Sequence, residues 1–151
     1  MSDSHGNKKA ILQAVALESP NLILHLGDHD RDCLAIEDEY PDIPLRSVRG
    51  NCDLASIGAD TEVFQLGEKR IFMTHGHLFK VKIALYSLYN TAIDRGVDIL
   101  LYGHTHIQHF EVHDRLTVIN PGSISGYRKT YAVLEIKNSD VTCNIRTLDV
   151  D

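Results

Sequence analysis

Four strand-like runs in this chain stop at a glycine that sits beside an aspartate, an asparagine or a histidine. Residues 21–26 run into Gly27-Asp28 and residues 44–49 into Gly50-Asn51. Residues 70–74 run into His75-Gly76-His77, and residues 97–102 into Gly103-His104-Thr105-His106. A fifth cluster of the same character, Asp3-Ser4-His5, precedes the first helix. Buried parallel strands read as short apolar runs, and open α/β sheets bind ligands at the carboxyl ends of such strands. Glycine at those ends permits tight turning and close backbone approach. The pattern predicts a sheet with one polar, ligand-binding end.

The rest of the chain supplies the other layers. Ile11, Leu12, Val15 and Ala16 recur at helical spacing over residues 7–18, and Pro20 stops the helix. A short helix is expected over 33–40, a hairpin from 61–66 and 70–74, and a second clear helix over 82–94. The last third turns to strands, at 108–113, 116–120, 130–137 and 141–148. Strand–helix alternation that gives way to a meander predicts mixed sheets with helices outside. At 151 residues, with no repeat or linker, the chain reads as one domain over residues 1–151. Its core is large enough to fold without disulfides.

Composition narrows the partners. The net charge is −6 and no basic run is present, which argues against a nucleic-acid polymer. No apolar stretch approaches the roughly 20 residues of a membrane span, and no signal-peptide pattern opens the chain, so no membrane partner is expected. Cys33, Cys52 and Cys143 are odd in number and none sits in a C-x-x-C pair, which points to a reducing compartment and a cytoplasmic protein. Histidine is the outlier: nine in all, five of them between His75 and His109.

Asp3, His5, Asp28, Asn51, His75, His104 and His106 offer hard oxygen and borderline nitrogen donors. That mixture suits Mn²⁺, Fe²⁺, Ni²⁺ or Zn²⁺ and disfavours a thiolate site or an all-oxygen Ca²⁺ cage. Seven such residues are too many for one tetrahedral ion and suit two ions sharing a carboxylate. Two metals roughly 3.5–4 Å apart are a device for activating water and clamping phosphoryl oxygens.

The ordered set D-x-H, G-D, G-N-x-D, T-H-G-H and G-H-T-H resembles the calcineurin-like metallophosphoesterase superfamily. It is most similar to the short bacterial and archaeal phosphodiesterase branch, which has cysteine after Gly-Asn where many relatives have histidine. Asn120-Pro121-Gly122-Ser123 extends the resemblance into the meander. The resemblance implies an α/β fold, a four-layer α/β/β/α sandwich of two mixed β-sheets flanked by helices. It implies one divalent ion on Asp3, His5, Asp28 and His106 and a second on Asp28, Asn51, His75 and His104, with Mn²⁺ the expected metal. It implies hydrolysis of small phosphodiesters by in-line attack of a hydroxide shared between the ions. Asp28, Asn51, His104 and Cys52 are then the catalytic set, with His77 and Arg128 as substrate contacts. Two divalent ions, two carboxylates and one hydroxide leave a single positive charge, which complements a phosphodiester. A phosphomonoesterase on the same core, wanting a further cation near Arg128 or His77, stays open. So does a non-catalytic protein-binding scaffold of the same fold. The apolar stretch at Leu78-Phe79 and Tyr86, Leu88 and Tyr89 is read either as a homo-oligomer contact or as a cap on the site.

Two departures from the family pattern carry expectations. Cys52 stands where an imidazole would serve as proton donor, and a thiol of pKa about 8.5 is the weaker acid near neutrality. Diesters with good leaving groups are therefore expected to turn over best. The chain also opens Met1-Ser2-Asp3, without the run of about six apolar residues that leads into D-x-H in the family. That central strand is expected to be missing, with the true start upstream. Its loss would leave backbone groups unpaired, the core open, and Asp3 and His5 on a mobile terminus. Elsewhere His25 reads as a satisfied core histidine, Ser4 and Asn7 as helix caps, and Glu37-Asp38-Glu39 as a solvated helix face. His29 reads equally as a substrate contact or a loop residue, and His109 and His113 as sheet positions.

Overall fold

A computed structural model describes residues 1–148. In chain order the elements are α1 (Lys8–Glu18), β1 (Ile23–His25), α2 (Cys33–Glu39), β2 (Leu45–Ser47), β3 (Thr61–Leu66) and β4 (Lys69–Thr74). They continue with α3 (Tyr86–Asp94), β5 (Ile99–Leu101), β6 (Gln108–His113), β7 (Leu116–Pro121), β8 (Thr130–Lys137) and β9 (Asp140–Thr147). Five strands form one mixed sheet in the order β3-β4-β5-β7-β6. Its centre, β4, β5 and β7, is parallel, and β3 and β6 pair antiparallel at the edges.

Side-chain alternation along the central strands builds the layers. Ile71, Met73, Ile99, Leu101 and Ile119 face inward, where they meet Leu26, Val48 and Leu134 of a second strand layer. Their neighbours Phe72, Leu100 and Val118 face the other way, against Leu88 and Ala92 of α3. On the far side, Ile11, Ala14 and Val15 of α1 and Ile36 of α2 cover Ile23 and Tyr131. The order is α/β/β/α, as the resemblance implied. Each fully buried side chain of this kind contributes about 1.5–3 kcal/mol.

Local details depart from the sequence reading in two places. Asn7 caps α1, its side chain accepting from the Ala10 amide at 3.2 Å, but Ser4 caps nothing and turns toward Asp32 instead. The helix expected over 82–94 begins only at Tyr86, because Lys80 takes a left-handed conformation (φ 55°) and residues 80–83 run as turns. Leu88 is core, so of the apolar stretch considered for an oligomer contact only Leu78 and Tyr86 are well exposed.

The second strand layer is two pieces: a parallel β1-β2 pair and an antiparallel β8-β9 pair. Residues 1–3 occupy one end of the gap between them. The Met1 amino group donates to the Leu24 carbonyl at 2.8 Å and the Leu26 amide donates to the Met1 carbonyl at 2.9 Å. That is the register of a strand lying parallel to β1. On the other side the Ile124 amide donates to the Ser2 carbonyl at 3.1 Å. Beyond Met1 a groove of about 690 Å³ lies open, lined by Leu24, Leu26, Leu101, Ile119, Ala132 and Leu134 among others. The expected open core is therefore present. The expected mobile terminus is not: Asp3 is fully buried, its amide donates to the Gly27 carbonyl at 3.0 Å, and its carbonyl accepts from the Ser123 and Ser125 hydroxyls. Among the described residues no helix is long and apolar enough to cross a membrane.

Candidate metal centre

The five motifs meet at one end of the strand layers, and they do so on left-handed backbone. Asp3, His5, Asp28, His29, His104 and His106 all have positive φ, between 43° and 67°. Asp and His tolerate that region better than most side chains, and such conformations collect where function requires them. Two glycines let the loops touch. A Cβ on Gly27 would lie 2.7 Å from the Gly50 amide nitrogen, and a Cβ on Gly50 would lie 2.1 Å from Asp28 Oδ1.

His75 is the most firmly held of the polar side chains gathered there. It is fully buried, and its Nδ1 donates to the Leu26 carbonyl at 2.7 Å. The Nε2 atom is thereby aimed at Asn51 Oδ1 (3.2 Å), His104 Nδ1 (3.1 Å) and Asp28 Oδ1 (3.4 Å). Asp28 Oδ1 also accepts the Cys52 amide at 2.9 Å, and Asp28 Oδ2 lies 3.8 Å from His5 Nε2. Burial would raise the Asp28 carboxyl, but the contact with His75 and the Cys52 amide outweigh it and hold the group well below the usual carboxylate range. Burial would lower His75, yet Asp28 and Asp3 carry it above its ordinary value. His104 goes the other way, pushed down to about 4 by burial and then by the neighbouring His75.

Asp3 completes the cluster. Its Oδ2 accepts from the Ser2 hydroxyl and the His104 amide. Its Oδ1 is buried without an aligned hydrogen-bond donor, although His106, His75 and His5 bring Nε2 atoms to 3.0, 3.9 and 4.0 Å. Donor atoms of Asp3, His5 and His106 lie within 4.8 Å of one another, as do those of Asp28, His75 and His104. An orphaned carboxylate oxygen ringed by imidazoles, beside an imidazole nitrogen ringed by acceptors, is a donor set that fits divalent cations.

The remaining expected site residues divide. Asn51 and Cys52 lie at the rim, with the Asn51 amide 3.5 Å from Cys52 Sγ; Cys52 Sγ also comes within 4.8 Å of His5 and Asp28 donor atoms. Burial, and then the Asp28 carboxylate, push the Cys52 thiol up. The His77 ring stands 5.4 Å from His75 and 6.2 Å from His104, with a buried Nδ1 that has no partner. His29 is exposed, its ring 5.3 Å from that of His5. Arg128 is exposed and bonds to none of these residues.

A family model of the calcineurin-like phosphoesterase superfamily domain matches residues 1–139. The chain belongs to that superfamily. It is 35% identical over 150 residues to the probable metallophosphoesterase YsnB of Bacillus subtilis, covering 94% of this chain and 85% of the relative. It is 29% identical over 145 residues to the phosphodiesterase MJ0936 of Methanocaldococcus jannaschii, covering 84% and 83%. A solved structure from Streptococcus pneumoniae TIGR4, a conserved protein predicted to be a phosphoesterase, superposes with a TM-score of 0.83 at 30% identity, covering 97% of this chain and 86% of that one.

A polar layer that the motifs only partly announce supports the cluster. Ser4 donates to Asp32 at 2.7 Å and meets His25 Nε2 at 3.1 Å, and the same Asp32 oxygen accepts the Gly6 amide at 2.8 Å. His25 is thus the satisfied core histidine its apolar strand suggests. Asn120 donates to the Gly103 carbonyl and to Thr105, which ties β7 to the loop carrying His104 and His106. Asn120 left a signal in the sequence through its place in Asn-Pro-Gly-Ser, and His25 through its apolar strand, whereas Asp32 left none.

Proposed function

We propose that this chain is a metal-dependent phosphodiesterase that hydrolyses small phosphodiesters on a two-ion centre. The observation that carries the reading is the buried, partnerless Asp3 Oδ1 among three imidazole nitrogens, next to a His75 Nε2 aimed at three acceptors. Asp3, His5, Asp28 and His106 would hold one ion and Asp28, Asn51, His75 and His104 the other, with Asp28 shared and Mn²⁺ the expected metal. Such ions, when bound, lower the pKa of water and neutralise charge on phosphoryl oxygens.

The chain's own groups favour a diester. His77 carries an unpartnered Nδ1 beside the cluster, suited to hydrogen-bond a phosphate oxygen, and burial followed by the charge of His75 lowers its pKa. A His77 with lowered pKa and an exposed, unbonded Arg128 are poor candidates for the second cation that a monoester would want. The raised Cys52 thiol is a poor proton donor, which supports the expected preference for good leaving groups. Retention of all seven ligand-type side chains disfavours the scaffold reading. Three free cysteines fit a reducing, cytoplasmic setting.

The test is hydrolysis of bis-p-nitrophenyl phosphate against p-nitrophenyl phosphate, first metal-stripped and then with Mn²⁺. The expected result is Mn²⁺-restored activity favouring the diester, abolished by Asp28→Ala or His104→Ala. Preference for the monoester would transfer the reading to a phosphomonoesterase, and inactivity with every divalent ion would transfer it to a scaffold.

A further inference from the structure

We propose that Asp53 is a positioning residue for the metal centre: its carboxylate collects the backbone amides of the two loops that carry Asp28 and Asn51. The inference rests on the two-ion reading above. Asp53 is 7% exposed and is not among the groups whose donor atoms converge on one another. Its Oδ2 accepts the amides of Gly50 at 2.7 Å and Asp28 at 3.0 Å. Its Oδ1 accepts those of His29 at 2.7 Å and Asp30 at 3.0 Å. Four backbone donors from two loops end on one side chain, and among the described residues no lysine or arginine forms an ion pair with it.

The loop it holds is one that would not hold itself. Gly27, Asp28 and His29 are consecutive left-handed residues, with φ of 94°, 60° and 67°. The amides of residues 28–30 that follow converge on one side, where a carboxylate can accept all three. Asp53 takes that place from within the chain. In doing so it fixes the direction of the Asp28 side chain and brings the Cys52 amide onto Asp28 Oδ1. The Gly27–Gly50 approach, too close for a Cβ on either side, is the seam it closes. Charged acceptors on backbone amides form the stronger class of hydrogen bond, and residues that orient ligands typically govern metal affinity 10–100-fold.

Asp53→Asn tests this, because the amide group turns two N–H donors of its own toward loop amides. The readout is Mn²⁺ affinity and stoichiometry of the folded protein, from the free-Mn²⁺ paramagnetic resonance signal well below the melting temperature. The expected result is Mn²⁺ binding weakened about 10–100-fold. Leu88→Ala, on the core-facing side of α3 and outside the polar cluster, is the control: it lowers the melting temperature and leaves Mn²⁺ affinity unchanged. Wild-type Mn²⁺ affinity in folded Asp53→Asn overturns the proposal. Should that variant not fold, Asp53→Glu is read the same way: it keeps the charge but displaces the amides, and wild-type affinity in it is again fatal. Failure of the unaltered protein to bind Mn²⁺ sinks the two-ion reading itself, a result distinct from unaltered binding in the variant.

Discussion

His75 and His106 face the same cluster but are held in different ways. His75 is fully buried, with Nδ1 fixed on the Leu26 carbonyl, whereas the His106 side chain is 45% exposed and touches only Asp3 Oδ1 among the carboxylates. A ligand already oriented by a second hydrogen bond loses less freedom when it binds an ion. His75→Ala is accordingly expected to weaken Mn²⁺ binding at least about tenfold more than His106→Ala, read by isothermal titration. Equal losses would show that the Leu26 anchor is irrelevant to metal affinity. The rim makes a second prediction at this scale. Cys52→His replaces a thiol pushed up by burial and by Asp28 with a group that titrates near neutrality. The dependence of kcat on leaving-group pKa should flatten among a series of aryl diesters; an unchanged slope would remove Cys52 from proton transfer.

Between residues and layers lies the seam where the β1 and β2 loops meet. Gly50→Ala forces its new methyl onto Asp28 Oδ1, and the obstacle is a side chain held by the Cys52 amide and a loop held by Asp53. The expected cost is about 1–3 kcal/mol in urea denaturation together with loss of tight Mn²⁺ binding. Unchanged metal binding would mean the two loops can separate without harm. Much of this was legible in the sequence, since each strand end announced itself by a glycine beside a ligand-type residue. The hairpin β3-β4 and strands β6 and β8 fall within a residue of their sequence-read limits, because short polar turns bound them at residues 67–68, 114–115 and 138–139. The roles of the supports were not legible, although Asp53 stands in the G-N-x-D motif and Ser123 in Asn-Pro-Gly-Ser. Asp53, Asp32 and Ser123 act on backbone amides, hydroxyls and carbonyls supplied by other loops, and such contacts impose no spacing on the sequence. The start of α3 was missed for a related reason: the left-handed Lys80 comes from the turn after His77, not from any break in apolar periodicity.

At the scale of the whole molecule the open groove between β1 and β8 links stability to the metal centre. Its closed end is Met1, whose amino group occupies the place of a strand amide on Leu24. Burial there pushes the amine down to about 6. The folded chain therefore favours the neutral amine. Below about pH 6 the amine is charged in both states, and its contribution to stability grows as pH rises from about 6 to about 8, up to about 3 kcal/mol. An apolar extension of about six residues ahead of Met1 would replace the amine by an amide and lay a strand against Leu24, Leu26, Ala132 and Leu134, pairing β1 on one side and β8 on the other. The expected outcome is a rise in melting temperature of about 5–15 °C by calorimetry. The same extension should remove the amine's contribution between pH 6 and 8, leaving the opposite trend of His75, whose raised pKa costs stability as pH rises. It should also tighten Mn²⁺ binding, because the strand would run directly into Asp3. A Gly-Ser extension of equal length removes the amine without filling the groove, so it should remove the amine's contribution and leave the melting temperature low. If both extensions behave alike, the groove is no strand site, and the parallel register at Met1 ends where the Leu24 and Leu26 bonds end.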